Sequence, residues 1–282
     1  MPNVDELFEQ PQEAPPATKE QPFDKEAWGK QKQEQRGALF ALAEQTAQGL
    51  TDPAAFRQYL DVQGQFPLYS VNNALLIAAQ MPNAKQLKSF DAWNEQGTSI
   101  TKGEKGIRIL EPGKEYEGKD GEQHKSVNVK TVFDVTQTDA VTGFDNSTMT
   151  RADKLLLRAL IDKAPMPCRA VDGDQVPDDK IAHFDGKEIL VRRGCEAHDL
   201  FRAIATEMAG AKLSDAFQAH CAAYILCRRY NVSPPEIAAA PESFKGGDAQ
   251  AIRAELGNIR DAADAIGKRM YHNLEPKREA RE

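Results

Sequence analysis

The stretch Ser89–Pro112, "SFDAWNEQGTSITKGEKGIRILEP", changes period in the middle, and that change decides the fold class. Up to Gly97 it reads as a short helix. Ser89 is a side-chain acceptor suited to capping the first turn, and Gly97 takes the left-handed conformation that ends a helix without a Cβ penalty. Beyond the glycine-bracketed turn Lys102–Gly106 the period drops to two. Ile107 and Ile109 point one way, Arg108 and Leu110 the other, which predicts a strand with Ile107 and Ile109 inward.

Working outward, the segments upstream keep helical spacing. Leu39, Leu42 and Ala43 share a face, and Leu50 closes that run. "TDPAAFRQYLDV" offers Thr51 as a cap, Pro53 in the first turn and an apolar stripe of Phe56, Tyr59 and Leu60. "YSVNNALLIAAQMP" is a third helix, with Ser70 as cap and Pro82 as terminator. Downstream, Asp120-Gly121 is a hairpin signal. "SVNVKTVFDVTQT" is the returning strand, with Val127, Val129, Thr131 and Phe133 predicted on one face. Residues 37–140 therefore read as an α+β domain, N-terminal helices followed by a β-meander. Residues 1–36, rich in Pro, Gln and Glu, read as a disordered tail.

A polar segment, 141–150, reads as a linker to a second, mostly helical domain over 151–240. "RADKLLLRALIDKA" is a helix. "KIAHFDGKEILVRR" is a β-hairpin turning at Asp185-Gly186. "CEAHDLFRAIATEMAGAKL" and "DAFQAHCAAYILCRRYNV" are consecutive apolar helices. Residues 247–275 form a last helix with Ile252, Leu256, Ile259, Ile266 and Met270 at helical spacing, and 276–282 is a charged tail.

Composition bounds the function. The chain has 282 residues, 40% hydrophobic and 28% charged, with a formal net charge of −7. That balance argues against a surface uniformly basic for duplex DNA, but leaves room for a local basic groove. No apolar run approaches the roughly 20 residues needed to span a bilayer, so no membrane partner is expected. The N-terminus lacks the pattern of a secretory signal. The four cysteines form no CxxC pair, and Cys221 and Cys227 fall in an apolar helix where buried thiols are expected. A reducing, cytoplasmic location fits.

Three motifs then occur in a telling order: Tyr69-Ser70-x-x-Asn73-x-x-Leu76-Ile77-x-x-Gln80-x-Pro82; Trp93-x-x-x-Gly97 with Lys102-Gly103-Glu104-Lys105-Gly106-Ile107 behind it; and Val132-Phe133-Asp134-Val135-x-Gln137-Thr138. Together they resemble the N-terminal single-stranded-DNA-binding domain of the ArdC-type antirestriction proteins of plasmids and conjugative elements. A zincin-like metallopeptidase domain commonly follows in that family. The resemblance implies a partner, single-stranded DNA, and the residues supply suitable chemistry. Lys102, Lys105 and Arg108 cluster near a glycine-rich turn, Lys85 and Lys88 precede Trp93, and Tyr69, Asn72 and Asn73 open a helix whose N-terminus favours anions. Gln137 and Thr138 add hydrogen-bonding groups at a strand end. Each has a structural alternative: Trp93 as core, Asn73 as a backbone bridge, Gln137-Thr138 as an internal pair, the KGEKG turn as a plain hairpin turn.

In the second half, "FRAIATEMAGAKL" (Phe201–Leu213) stands where the family's active members carry H-E-x-x-H. Glu207 keeps the glutamate position, but Thr206 and Gly210 occupy the two histidine positions, and His220 falls near the acidic-ligand position of the next helix. Thr is a poor zinc ligand and Gly has none to offer. The expectation is a degenerate zincin domain with no catalytic residues, metal or cofactor, in a non-enzymatic single-strand binder that protects or escorts transferred DNA. Two rival readings are a protein-interaction module, its C-terminal domain binding an element-encoded or host protein, and a metallopeptidase with unorthodox ligands.

Overall fold

The computed structural model describes residues 24–117, 123–140 and 153–275. The Asp120-Gly121 turn, the 141–150 segment and the 276–282 tail lie outside these. The order is α1 (Lys25–Gly49), α2 (Pro53–Gln65), α3 (Val71–Gln80), β1 (Leu87–Lys88), α4 (Phe90–Asn94), β2 (Ile107–Glu117), β3 (Gln123–Asp134), α5 (Asp153–Ile161), β4 (Cys168–Val171), β5 (Ala182–Phe184), β6 (Ile189–Arg192), α6 (Ala197–Gly210), α7 (Ala216–Arg229) and α8 (Ala249–Leu274). The fold is α+β, as the change of period predicts.

Several boundaries follow from local chemistry. Ser70 and Ser89 cap α3 and α4, their hydroxyls accepting from Asn73 N–H and Ala92 N–H, and Gly97 sits at φ +72°. The cap of α2 is Asp52 rather than Thr51. Its carboxylate accepts from Ala55 N–H at 2.9 Å, a stronger acceptor than a hydroxyl at that position. Helix α1 starts at Lys25, inside the segment 1–36 that the sequence suggests is disordered. Asp24 caps it, accepting from Glu26 N–H and Ala27 N–H. The polar composition of this first stretch hid a helix whose apolar contacts begin only at Leu39.

The first sheet has the order β1-β3-β2, all antiparallel. It is not a sequential meander, because the returning strand lies in the middle. The second sheet has the order β4-β6-β5. The expected β5–β6 hairpin is present, with Asp185 accepting from Lys187 N–H and Glu188 N–H at 2.8 Å each. Strand β4, parallel to β6, was not legible in the sequence. Inward and outward faces also differ from the simple alternation. Ile107, Ile109 and Val132 are buried, and so is Leu110 on the opposite face, with Val127 and Val129 packed partly against the core. Both faces of the β2–β3 ribbon carry apolar cover, so parity alone misassigns Leu110.

The regions on either side of residue 150 share one continuous core. Helix α2 is seated on α7. Phe56 stacks on Phe217 with centroids 6.2 Å apart and meets Phe244 edge-on at 5.7 Å. Asp61 accepts from the Tyr224 hydroxyl at 2.8 Å and pairs with the Arg228 guanidinium at 2.8 Å. Arg57 donates to the Ile237 carbonyl at 2.8 Å. Burial pushes the Cys168 thiol up to about 11 and that of Cys227 up to about 12, so both are poor nucleophiles at neutral pH.

The α2–α7 crossing depends on Gly64. A Cβ there would lie 2.6 Å from Arg228 Cβ and 3.0 Å from the Ile225 carbonyl oxygen, atoms that cannot swing away. Gly64→Ala should therefore destabilise by about 1–3 kcal/mol despite its better helix propensity. Gly257→Ala, where nothing lies within 4 Å of the new Cβ, should stabilise by up to about 1 kcal/mol. Paired denaturant titrations check the opposite signs.

Candidate functional site

Helix α3 lies along the outer edge of β2, and two of its side chains replace the missing neighbour strand. Asn73 donates through Nδ2 to the Leu110 carbonyl and accepts through Oδ1 from Leu110 N–H, both at 2.8 Å. About two turns further on, Gln80 does the same for Arg108, with both bonds at 2.9 Å. An edge strand otherwise leaves such groups unpaired. These two amides are the Asn and Gln of the first sequence motif.

The other motifs also turn out to build. Trp93 is fully buried, and its indole N–H donates to the Phe133 carbonyl at 2.9 Å. Asp134 is buried and accepts from Lys85 N–H at 2.6 Å, Gln86 N–H at 2.8 Å and Thr136 N–H at 3.0 Å. Gln137 is buried; it donates to Glu104 Oε2 at 3.0 Å and to the Lys105 carbonyl at 2.9 Å, and accepts from Asp134 N–H at 3.0 Å. Thr138 donates to the Val135 carbonyl at 2.7 Å. In Trp93, Asn73 and Gln137 the polar side-chain atoms are engaged with the protein's own backbone, and Asn73 also lines the cleft between α3 and the β2–β3 ribbon. Thr138 is half-buried and already bonded within its turn.

What remains exposed is the cationic set. Lys85, Lys102, Lys105 and Arg108 all have exposed side chains. The KGEKG turn that carries two of them is fixed from behind by Gln137. Gly106 is required there, since a Cβ would meet Thr131 Cγ2 at 2.3 Å and the Phe133 ring at 2.9 Å. Gly103 holds φ +95°. A turn so anchored presents its lysines without much backbone entropy to lose on binding.

Tyr69 and Asn72 belong to a second group. They line a cleft of about 710 Å³ between the start of α3, the β2–β3 ribbon and the β1–α4 corner. Lys130 and Glu111 meet in this cleft at 2.6 Å, and that bond holds the Lys130 ammonium above its ordinary pKa. Lys88 sits over the Trp93 ring, 4.4 Å from its centroid, and donates to Gln96. Burial raises the Tyr69 phenol pKa. The sequence reading missed Leu68, Phe40 and Lys130. The strand pattern gave no sign that Lys130 faces a cleft, and Leu68 stands out only because an apolar residue precedes a helix cap.

In the second half the residues of the would-be metal helix pair point to separate partners. Thr206 Oγ1 donates to the Arg202 carbonyl at 2.9 Å. Glu207 accepts from Phe184 N–H at 2.9 Å and pairs with Lys180 at 3.5 Å. His220 contacts the Glu236 carbonyl at 3.3 Å, and His198 pairs with Asp153 at 3.3 Å. Among the described residues no three His, Cys, Asp or Glu side chains converge. A metal of the zincin kind does not fit this donor set. No helix among the described residues is long and apolar enough to cross a membrane.

Comparison with known proteins agrees with the first motif set. The family model for the N-terminal domain of anti-restriction factor ArdC matches residues 43–141. The metal-free crystal structure of the antirestriction protein ArdC from plasmid R388 superposes with a TM-score of 0.56 at 18% identity, covering 82% of this chain and 98% of that one. At that identity the likeness is one of fold. The Mn(II)-bound structure of the same R388 protein matches with a TM-score of 0.48 at 19% identity, over 72% of this chain and 85% of that one. No curated protein matches the sequence.

The Asn73 bridge predicts a large single-site effect. Asn73→Ala leaves two groups of Leu110 unpartnered behind α3 and should cost about 2–4 kcal/mol. Gln80→Ala, at an exposed position where water can substitute, should cost under about 1 kcal/mol. Equilibrium urea unfolding of the two variants checks the ratio.

Proposed function

We propose that this chain, whose residues 43–141 match the family model for the ArdC N-terminal domain and whose fold is like that of the R388 protein, is a sequence-nonspecific single-stranded-DNA-binding protein of a plasmid or conjugative element. It protects or escorts transferred DNA in the cytoplasm and acts without catalysis. The observation that carries this reading is the KGEKG turn: a backbone locked by Gln137, with Lys102 and Lys105 left exposed beside Arg108. Such a cationic edge neutralises phosphates without reading bases. A flexible single strand can wrap a compact cationic turn, whereas a stiff duplex presents a fixed, wider charge array.

The non-catalytic part of the proposal rests on donor chemistry. The general-base glutamate of a zincin acts on a metal-activated water. Here Glu207 instead ties the β5 backbone to α6, and positions 206 and 210 supply no imidazole. The helix pair serves as packing, with Phe201, Ile204, Ala205 and Met208 buried.

Two outcomes test the proposal. Fluorescence anisotropy with labelled oligonucleotides should show tighter binding to single strands than to duplex, weakening with salt. Lys102→Ala with Lys105→Ala should weaken binding and flatten the log–log salt slope by about 1.4, two single-strand phosphate contacts' worth. An unchanged slope in the folded double variant places the contacts elsewhere, and absence of binding at low salt refutes the function. For the second half, protein purified with added zinc or manganese should carry no stoichiometric metal, and chelator should leave its melting temperature unchanged. Glu207→Gln should leave DNA binding intact and cost under about 1 kcal/mol, because an amide oxygen still accepts from Phe184 N–H and the lost Lys180 pair is partly exposed. One equivalent of bound ion would contradict this account.

A further inference from the structure

We propose that the cleft between α3 and the β2–β3 ribbon takes an unstacked nucleobase of the bound strand, so that the protein grips bases as well as phosphates. This rests on the single-strand reading above and adds a site to it. The volume, about 710 Å³, is in the range of small-molecule pockets and larger than a single base requires. The walls are apolar and aromatic where a ring would lie: Tyr69, Leu87 and Pro112. Leu68 is 96% exposed and Phe40 40% exposed, and both line the same cleft. Apolar side chains left in water around one opening mark a binding surface more often than a folding residue.

The aromatic wall is held in place. The Tyr69 ring stands edge-on to Phe66 at 6.0 Å and 60°, and its carbonyl accepts from Gln63 Nε2 at 3.3 Å. A ring so fixed loses little freedom when a base stacks on it. Polar groups sit where a base edge and its phosphate need them. The Asn72 side chain lines the cleft, and the Lys130–Glu111 pair supplies a donor and an acceptor side by side. Lys88 adds positive charge on the β1 side. An apolar slot with adjacent cations complements a flat aromatic ring attached to an anion.

The KGEKG turn leads directly into β2, whose residues Ile109 to Pro112 line the cleft. Gly106 and Pro112 are separated by about 20 Å at 3.3 Å per residue, a span of a few nucleotides. A strand of that length reaches from the lysines of the turn, Lys102 and Lys105, to Tyr69.

The test compares full-length protein binding to labelled oligothymidylate and to an abasic strand of equal length and charge. If the cleft takes a base, the abasic strand binds about tenfold more weakly, the scale of one stacked base. Leu68→Ser, at a side chain too exposed to support the fold, then weakens oligothymidylate binding several-fold and leaves abasic binding unchanged. Equal binding of both strands, with no effect of Leu68→Ser, overturns the base site while leaving phosphate-mediated binding standing. No binding of either strand overturns both.

Discussion

The structure turns on a pair of side-chain amides that finish a sheet. β2 is an edge strand, and α3 runs beside it. Asn73 and Gln80 each exchange two hydrogen bonds with the backbone of one β2 residue, Leu110 and Arg108. This contact fixes the distance between helix and ribbon. It also orients the start of α3, which holds Tyr69 and Asn72 over the cleft, and it leaves the Arg108 side chain pointing to solvent. Without it the cleft would have only one wall held in place. The same economy recurs where β2 begins and β3 ends, where the Asp134 carboxylate and the Gln137 amide tie the 85–86 segment and the KGEKG turn to the end of β3.

That arrangement explains why the motifs are informative about family and misleading about contacts. Asn73, Trp93 and Gln137 are the residue types expected of a nucleic-acid surface, and they are also the types that satisfy backbone groups in a small sheet. A side-chain amide looks the same in sequence whether its partner is a carbonyl or a phosphate. Only geometry separates the two roles, and here it assigns these residues to the fold. The cations at 85, 102, 105 and 108 were legible as exposed because they flank a glycine-rich turn and a strand edge. Leu68 and Lys130 were not, because their significance comes from a cleft assembled from five separate segments.

The fold itself was readable where signals were local. Ser70, Ser89 and Gly97 act as their sequence contexts predict, and the five apolar positions of α8 are all buried. The misses are non-local. β4 is four residues long and pairs in parallel with β6, with β5 between them only in the chain, which no local pattern announces. Leu110 breaks the alternation because both faces of the ribbon are covered. On α6 the sequence offers a hydroxyl at Thr206, a poor zinc ligand, and no side chain at Gly210.

The central claim is that the KGEKG end of the ribbon and the start of α3 receive the nucleic acid, while the α6–α7 pair supports the fold. Hydrogen–deuterium exchange on the full chain, with and without a single-stranded oligonucleotide, tests it most directly. The account predicts slowed exchange in residues 68–72 and 101–108 and no change in α6 or α7. Protection confined to α6–α7, or spread nowhere in residues 68–108 under saturating oligonucleotide, would contradict it.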